Sequence, residues 1–122
     1  MIEYKLQYVD ILLPDDTHTE LEQFAFPALV GIDTGLAIVG GLTENYDSGY
    51  SLTHISSGYC IPIPERIAKL SVAQALLEKV TPLANWKMTT DECIKNIKDQ
   101  YGSGKTLEQK IAKLYEEVHR EN

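Results

Sequence analysis

Basic side chains are almost missing from the first half of this chain: Lys5 is the sole lysine or arginine up to Pro64, against nine aspartates and glutamates. That imbalance argues against a nucleic-acid surface there, because neutralising phosphates takes clustered Lys and Arg. Long apolar runs are missing too. The longest candidate, residues 28–42, is broken by Gly31, Asp33, Thr34, Gly35, Gly40 and Gly41, and it falls short of the ~18 residues of a membrane-spanning helix. Cysteine is scarce. Cys60 and Cys93 form no CxxC pair and have no histidine in helical register, so both are expected to be buried free thiols rather than metal ligands. The first residues, Met1-Ile2-Glu3-Tyr4-Lys5, lack the basic and apolar regions of a secretory leader, so the expected compartment is the cytoplasm. Neither a cofactor nor a metal is expected.

What is present describes one ordinary globular domain, residues 1–122, with 43% hydrophobic and 24% charged residues and a formal net charge of −7. A chain of this length buries roughly 65% of its unfolded surface, enough for a core without disulfides or metal. Charge and pattern both divide near Pro62 and Pro64. After them, nine acids meet ten bases, and helix-period segments replace alternating, β-branched and aromatic ones.

The first half reads as five antiparallel strands in a meander. Tyr4, Leu6 and Tyr8 alternate on one face while Val9, Ile11 and Leu13 take the other parity, which calls for a bulge or two-sided burial. Residues 14–19 form a breaker, and residues 24–32 a second strand bent near Pro27. Asp33-Thr34-Gly35 reverses the chain into a strand over 36–42. An exposed loop over 43–49 follows, then strands over 50–55 and 59–63 around Ser56-Ser57-Gly58. In the second half, Ser71-x-x-Gln74, Thr89-x-x-Glu92 and Thr106-x-x-Gln109 each match a capping box, predicting three helices. Their stripes are Val72, Ala75, Leu76, Val80 and Leu83; Cys93, Ile94, Ile97 and Tyr101; and Leu107, Ile111, Leu114, Tyr115 and Val118. The last spacing also fits a helical dimer seam, but two heptads are short for one, and packing on the sheet is preferred. The fold class is therefore α+β: about five mainly antiparallel strands, with about three helices covering one face and the other face left open.

Two motifs imitate known chemistry. Gly102-Ser103-Gly104-Lys105-Thr106 resembles the end of a Walker A loop, but Asp99 stands where its first glycine belongs and a helix precedes it instead of a strand. It reads as a helix stop followed by a cap. Asp33-Thr34-Gly35 resembles the aspartic-protease signature, but Leu36 replaces a small residue and the remaining chain is helical. It reads as a hairpin turn in which Asp33 accepts from backbone amides and Gly35 takes positive φ.

Other candidates are weaker. Asp15, Asp16, His18, Glu20 and Glu22 match no metal template and read as a solvated acidic loop, with Asp15, Asp16, Glu20 and Glu22 the partner-binding candidates. Glu44, Asn45, Asp47 and Ser48 read as a polar turn. His54 and Ser56, two apart on a strand, share a face, so an imidazole there could activate a hydroxyl with Asp47 orienting it. Trp86 is expected to pack in the core or on the sheet surface rather than form a ligand platform. The leading expectation is a non-enzymatic interaction or regulatory module whose acidic sheet face attracts a basic partner, with homodimerisation open and no nucleic-acid or membrane contact. The alternatives are a small hydrolase or ligand-binding enzyme using His54, Ser56 and Asp47, and an acidic inhibitor imitating nucleic acid.

Overall fold

The computed structural model describes residues 2–14, 21–40, 49–102 and 104–121. Within them the class is α+β. Four strands, β1 (Tyr4–Pro14), β2 (Leu21–Gly31), β3 (Leu36–Gly40) and β4 (Tyr50–His54), precede three helices, α1 (Leu70–Val80), α2 (Thr90–Tyr101) and α3 (Gly104–Glu121). The sheet is an antiparallel meander in the order β1-β2-β3-β4. No helix among the described residues is long and apolar enough to cross a membrane.

The expected fifth strand is not one. Residues 59–61 meet β4 through a single bridge, Thr53 to Cys60, with Tyr59 O accepting from His54 N and Ile61 N donating to Leu52 O. The next bonded pair would join Ile63 to Tyr50, but Tyr50 bonds instead to Ile67, its N donating to Ile67 O (2.7 Å) and its O accepting from Ile67 N (2.9 Å), so the ladder stops. Cys60, on this abbreviated segment, is exposed rather than buried; Cys93 is buried as expected. The capping boxes also divide. Thr89 caps α2, accepting from Glu92 N, whereas α1 begins after Lys69 with no side-chain cap and α3 begins at Gly104. Ser71 and Thr106 therefore stand inside first turns.

The two parities of β1 resolve into two-sided burial. Strand pairing places Leu6, Leu29, Ile38 and Leu52 in one row across the sheet on the helix-covered face. Exposure along that row runs from 66% at Leu6, through half-buried Leu29, to 2% at Ile38 and nil at Leu52. Helix α1 thus covers β3 and β4 but, on β1, reaches only Tyr4 and leaves Leu6 and Tyr8 bare. Leu36, Ile38 and Leu52 join Val72, Leu76, Leu77 and Val80 of α1 in the main core, where each large side chain contributes about 1.5–3 kcal/mol of burial. The opposite face is not left open: Val9, Ile11, Ala28 and Ala37 form a second buried cluster with Phe26, Val30, Val39 and Ile55 against it. Helix α3 does not lie on the sheet as expected. Its buried Leu107, Ile111 and Val118 join the main core through packing on α1 and α2, which uses the stripe internally. No dimer seam is needed to cover it.

The Asp33-Thr34-Gly35 turn is held by the threonine, not the aspartate. Buried Thr34 Oγ1 donates to Gly31 O (2.8 Å) and accepts from Leu36 N (3.0 Å), while Asp33 is exposed at φ 64°. Gly35, at φ 81°, lies against the loop between α1 and α2, where a Cβ would stand 2.5 Å from the Trp86 carbonyl carbon and oxygen. Backbone cannot yield as a flexible side chain does. Gly35→Ala is expected to lower stability by more than about 1 kcal/mol in urea unfolding and to perturb the Trp86 near-ultraviolet signal.

Candidate functional site

The β4 end carries a linked set of polar contacts around His54 and Ser57. His54, the last residue of β4, is buried at 6% exposure. Its Nε2 lies 2.9 Å from Trp86 O and its Nδ1 lies 2.8 Å from Ser57 Oγ. A carbonyl can only accept, so Nε2 carries the proton and donates, leaving a lone pair on Nδ1. The Ser57 hydroxyl fills that lone pair; its alternative acceptor, His54 O, is farther at 3.5 Å. Tyr59 N in turn donates to Ser57 Oγ at 3.1 Å.

Local chain geometry explains why Ser57, not Ser56, meets the imidazole. The expectation for Ser56 rested on the period-two projection of an extended strand. The chain instead curls at residues 55–58, with Gly58 N donating to His54 O (2.8 Å) and Gly58 at φ 76°. That turn returns Ser57 to His54 and leaves Ser56 exposed. Asp47, the expected orienting group, lies outside the described residues, and the orienting role falls to the Trp86 carbonyl. A backbone acceptor has no signature in sequence; a His followed three residues later by Ser in a Gly-terminated loop was the only legible sign.

Beside this pair, the curled segment and α2 border an open surface cavity of about 200 Å3. Tyr59 and Ile61 form one wall, and Thr90, Cys93, Ile94 and Ile97 of α2 the other, with Trp86 nearby. Two of these apolar side chains are unusually open, Tyr59 at 51% and Ile94 at 48%. Trp86 itself is buried in the core, its Nε1 donating to Val80 O (3.0 Å), and its ring meets His54 edge-on at 5.9 Å.

Asp15, Asp16, His18 and Glu20 lie outside the described residues, as do Glu44, Asn45, Asp47 and Ser48; Glu22 falls in β2, opposite Leu13. Among the described residues, no group of three or more His, Cys, Asp or Glu could hold a metal. Glu3 and Asp10, both exposed on or beside β1, alternate onto opposite faces, so they do not form a row on one side of the sheet. Lys79 pairs with Glu117 and Glu121 at 3.5 Å, and among the described residues no lysine of the helical half reaches a sheet carboxylate. The comparisons add no relative: no protein family, curated protein or solved structure matches this chain.

Burial pushes the His54 pKa below its ordinary 6.5, partly offset by the bond to Trp86 O. The unfolded chain therefore takes up this proton before the folded one does. The His54 contribution is complete above about pH 6.5, declines as pH falls toward the lowered folded value, and levels below it. Urea unfolding from about pH 8 to about pH 5 should show this decline in the wild type, and His54→Gln should remove it from the difference curve, since carboxylates titrate alike in both.

Proposed function

We propose that this protein is an interaction module that captures an extended, basic segment of a partner protein as an added strand on β1. The carrying observation is the outer edge of β1: eleven residues in continuous register with β2, no strand beyond them among the described residues, and Leu6 and Tyr8 66% and 72% exposed. Ile32 N donates to Glu3 O, so the odd residues bond inward to β2 and the even ones, Tyr4, Leu6, Tyr8 and Asp10, direct their amides and carbonyls outward. Proteins usually blunt such an edge with a bulge, a proline or an inward charge. Along β1 the pairing has no bulge, and Pro14 comes only at its end.

The same face that covers β4 also ends abruptly here. Tyr4 reaches α1, its hydroxyl 3.3 Å from Gln74 O, and burial with the nearby Glu78 carboxylate pushes its pKa to about 12. Two residues on, Leu6 lies beyond the helical layer. An incoming strand finds outward backbone groups for affinity and two apolar side chains for register, the mode of β-augmentation. Charge favours a basic occupant over a second copy, because two chains of −7 repel each other. Homodimerisation through this edge is the competing outcome.

A synthetic peptide of about ten residues alternating lysine with valine is the test ligand. Calorimetry should show binding that weakens several-fold as ionic strength rises from about 0.05 M to about 0.5 M. Tyr8→Pro removes one outward amide without touching the β2 ladder or the net charge, and should abolish binding while leaving urea stability within about 1 kcal/mol. Equal binding by the variant would reduce the interaction to bulk charge. Concentration-dependent sedimentation as a dimer, lost in Tyr8→Pro, would assign the edge to a second copy instead.

A further inference from the structure

We infer that Ser57 is a reactive hydroxyl, accepting the acyl group of a small apolar ester seated in the cavity between the β4 turn and α2. This site lies on the strand farthest from β1 and stands apart from strand capture. Three features carry it. The first is the hydrogen-bond polarity: Trp86 O fixes the imidazole with its proton on Nε2, and Nδ1 faces Ser57 Oγ at 2.8 Å as an acceptor. That is the nucleophile, base and orienter arrangement in geometric terms, with a carbonyl in place of a carboxylate.

The second is the free valence on Ser57. Its hydrogen goes to His54 and one lone pair receives Tyr59 N, which leaves the other lone pair for attack. The third is the adjoining space. Ser57 and His54 both border a cavity of about 200 Å3 whose walls are Tyr59, Ile61, Ile94 and Ile97. Pockets for whole drug-sized ligands begin near 300 Å3, so this one suits a short acyl chain. Thr90 also borders it at the first helical position of α2, where a backbone N–H has no intrahelical partner and can serve a developing oxyanion. Burial keeps His54 neutral at pH 7, the form a base requires.

In the reaction, Ser57 Oγ forms a bond to the ester carbonyl carbon while its proton passes to His54 Nδ1. The carbon–alkoxide bond breaks, and the alkoxide leaves with that proton as an alcohol. Water, deprotonated by the same nitrogen, then releases the carboxylic acid and restores Ser57. No oxidant, metal or further reactant is involved.

A fluorophosphonate probe tests the first half and p-nitrophenyl butyrate the whole. Peptide mapping should place the probe on Ser57, with labelling and ester cleavage lost in Ser57→Ala, reduced about 100-fold or more in His54→Gln, and unchanged in Ser56→Ala. The labelling rate should rise with pH to a plateau whose midpoint lies below 6.5, as a neutral-imidazole base dictates. Absence of label on Ser57, equal label on Ser56, or a rate that keeps rising with hydroxide would overturn the inference and leave Ser57 a turn-stabilising hydroxyl. Should His54→Gln fail to fold, the pH profile and the Ser57→Ala and Ser56→Ala pair decide alone.

Discussion

Trp86 is the junction on which the arrangement of sheet and helices depends. Its indole N–H bonds to Val80 O at the end of α1, its carbonyl receives the His54 Nε2 proton from the end of β4, and its backbone abuts Gly35 in the turn between β2 and β3. Three segments distant in sequence thus meet at one residue. Each bond is buried, where an unmade partner costs about 1–3 kcal/mol, so the contacts are mutually enforcing. The loop from α1 to α2 has no freedom to slide, because moving it would orphan an indole donor and an imidazole together. Helix α2 is placed against the β4 turn as a result, and the cavity between them follows from that placement.

The sheet built around this junction is asymmetric. At β4 the main core closes over Leu52 completely, whereas three positions away along the same row Leu6 is mostly in water. The cause is geometric: an α1 of eleven residues rises about 16 Å and its apolar face is consumed by β3, β4 and α3. The β1–β2 ribbon is stiffened from the other side by Val9, Ile11, Ala28 and Ala37. A two-stranded ribbon alone is marginal in water; this one has a buried cluster on one face and an open face on the other. That combination keeps an edge strand ordered without covering it.

Much of this was legible in the sequence, and the exceptions have specific causes. The α+β division at Pro62 and Pro64 and the number of helices follow from periodicity and composition. Thr89 caps α2 as its capping box requires, but the equally good matches at Ser71 and Thr106 fall inside helices, because tertiary packing set those starts earlier. Residues 59–61 have the right side chains for a strand, but Tyr50 pairs with Ile67 rather than Ile63 and ends the ladder. At the site, His54 was visible and its partner was misplaced by one residue, since a tight turn replaces strand parity over residues 55–58. The Trp86 carbonyl and the α2 wall were out of reach, for a backbone acceptor and a contact made between distant segments leave no local pattern.

Charge acts on this molecule differently from a local patch. Exposed Glu3 and Asp10 lie on opposite faces of the β1 ribbon, and Asp33 sits in the turn beyond β2, so these three carboxylates of the sheet half do not converge on any one contact. Their effect is a field around the ribbon, summed with the rest of the −7. A field of that kind raises encounter rates and turns away like-charged chains, and it decays within about 10 Å at 0.1 M salt. It cannot choose a register. On the reading proposed for β1, selection therefore belongs to the uncharged features: the spacing of outward amides, and the two apolar side chains that fix which face an incoming strand presents. Salt would then alter how fast a segment arrives, and the backbone edge would decide whether it stays.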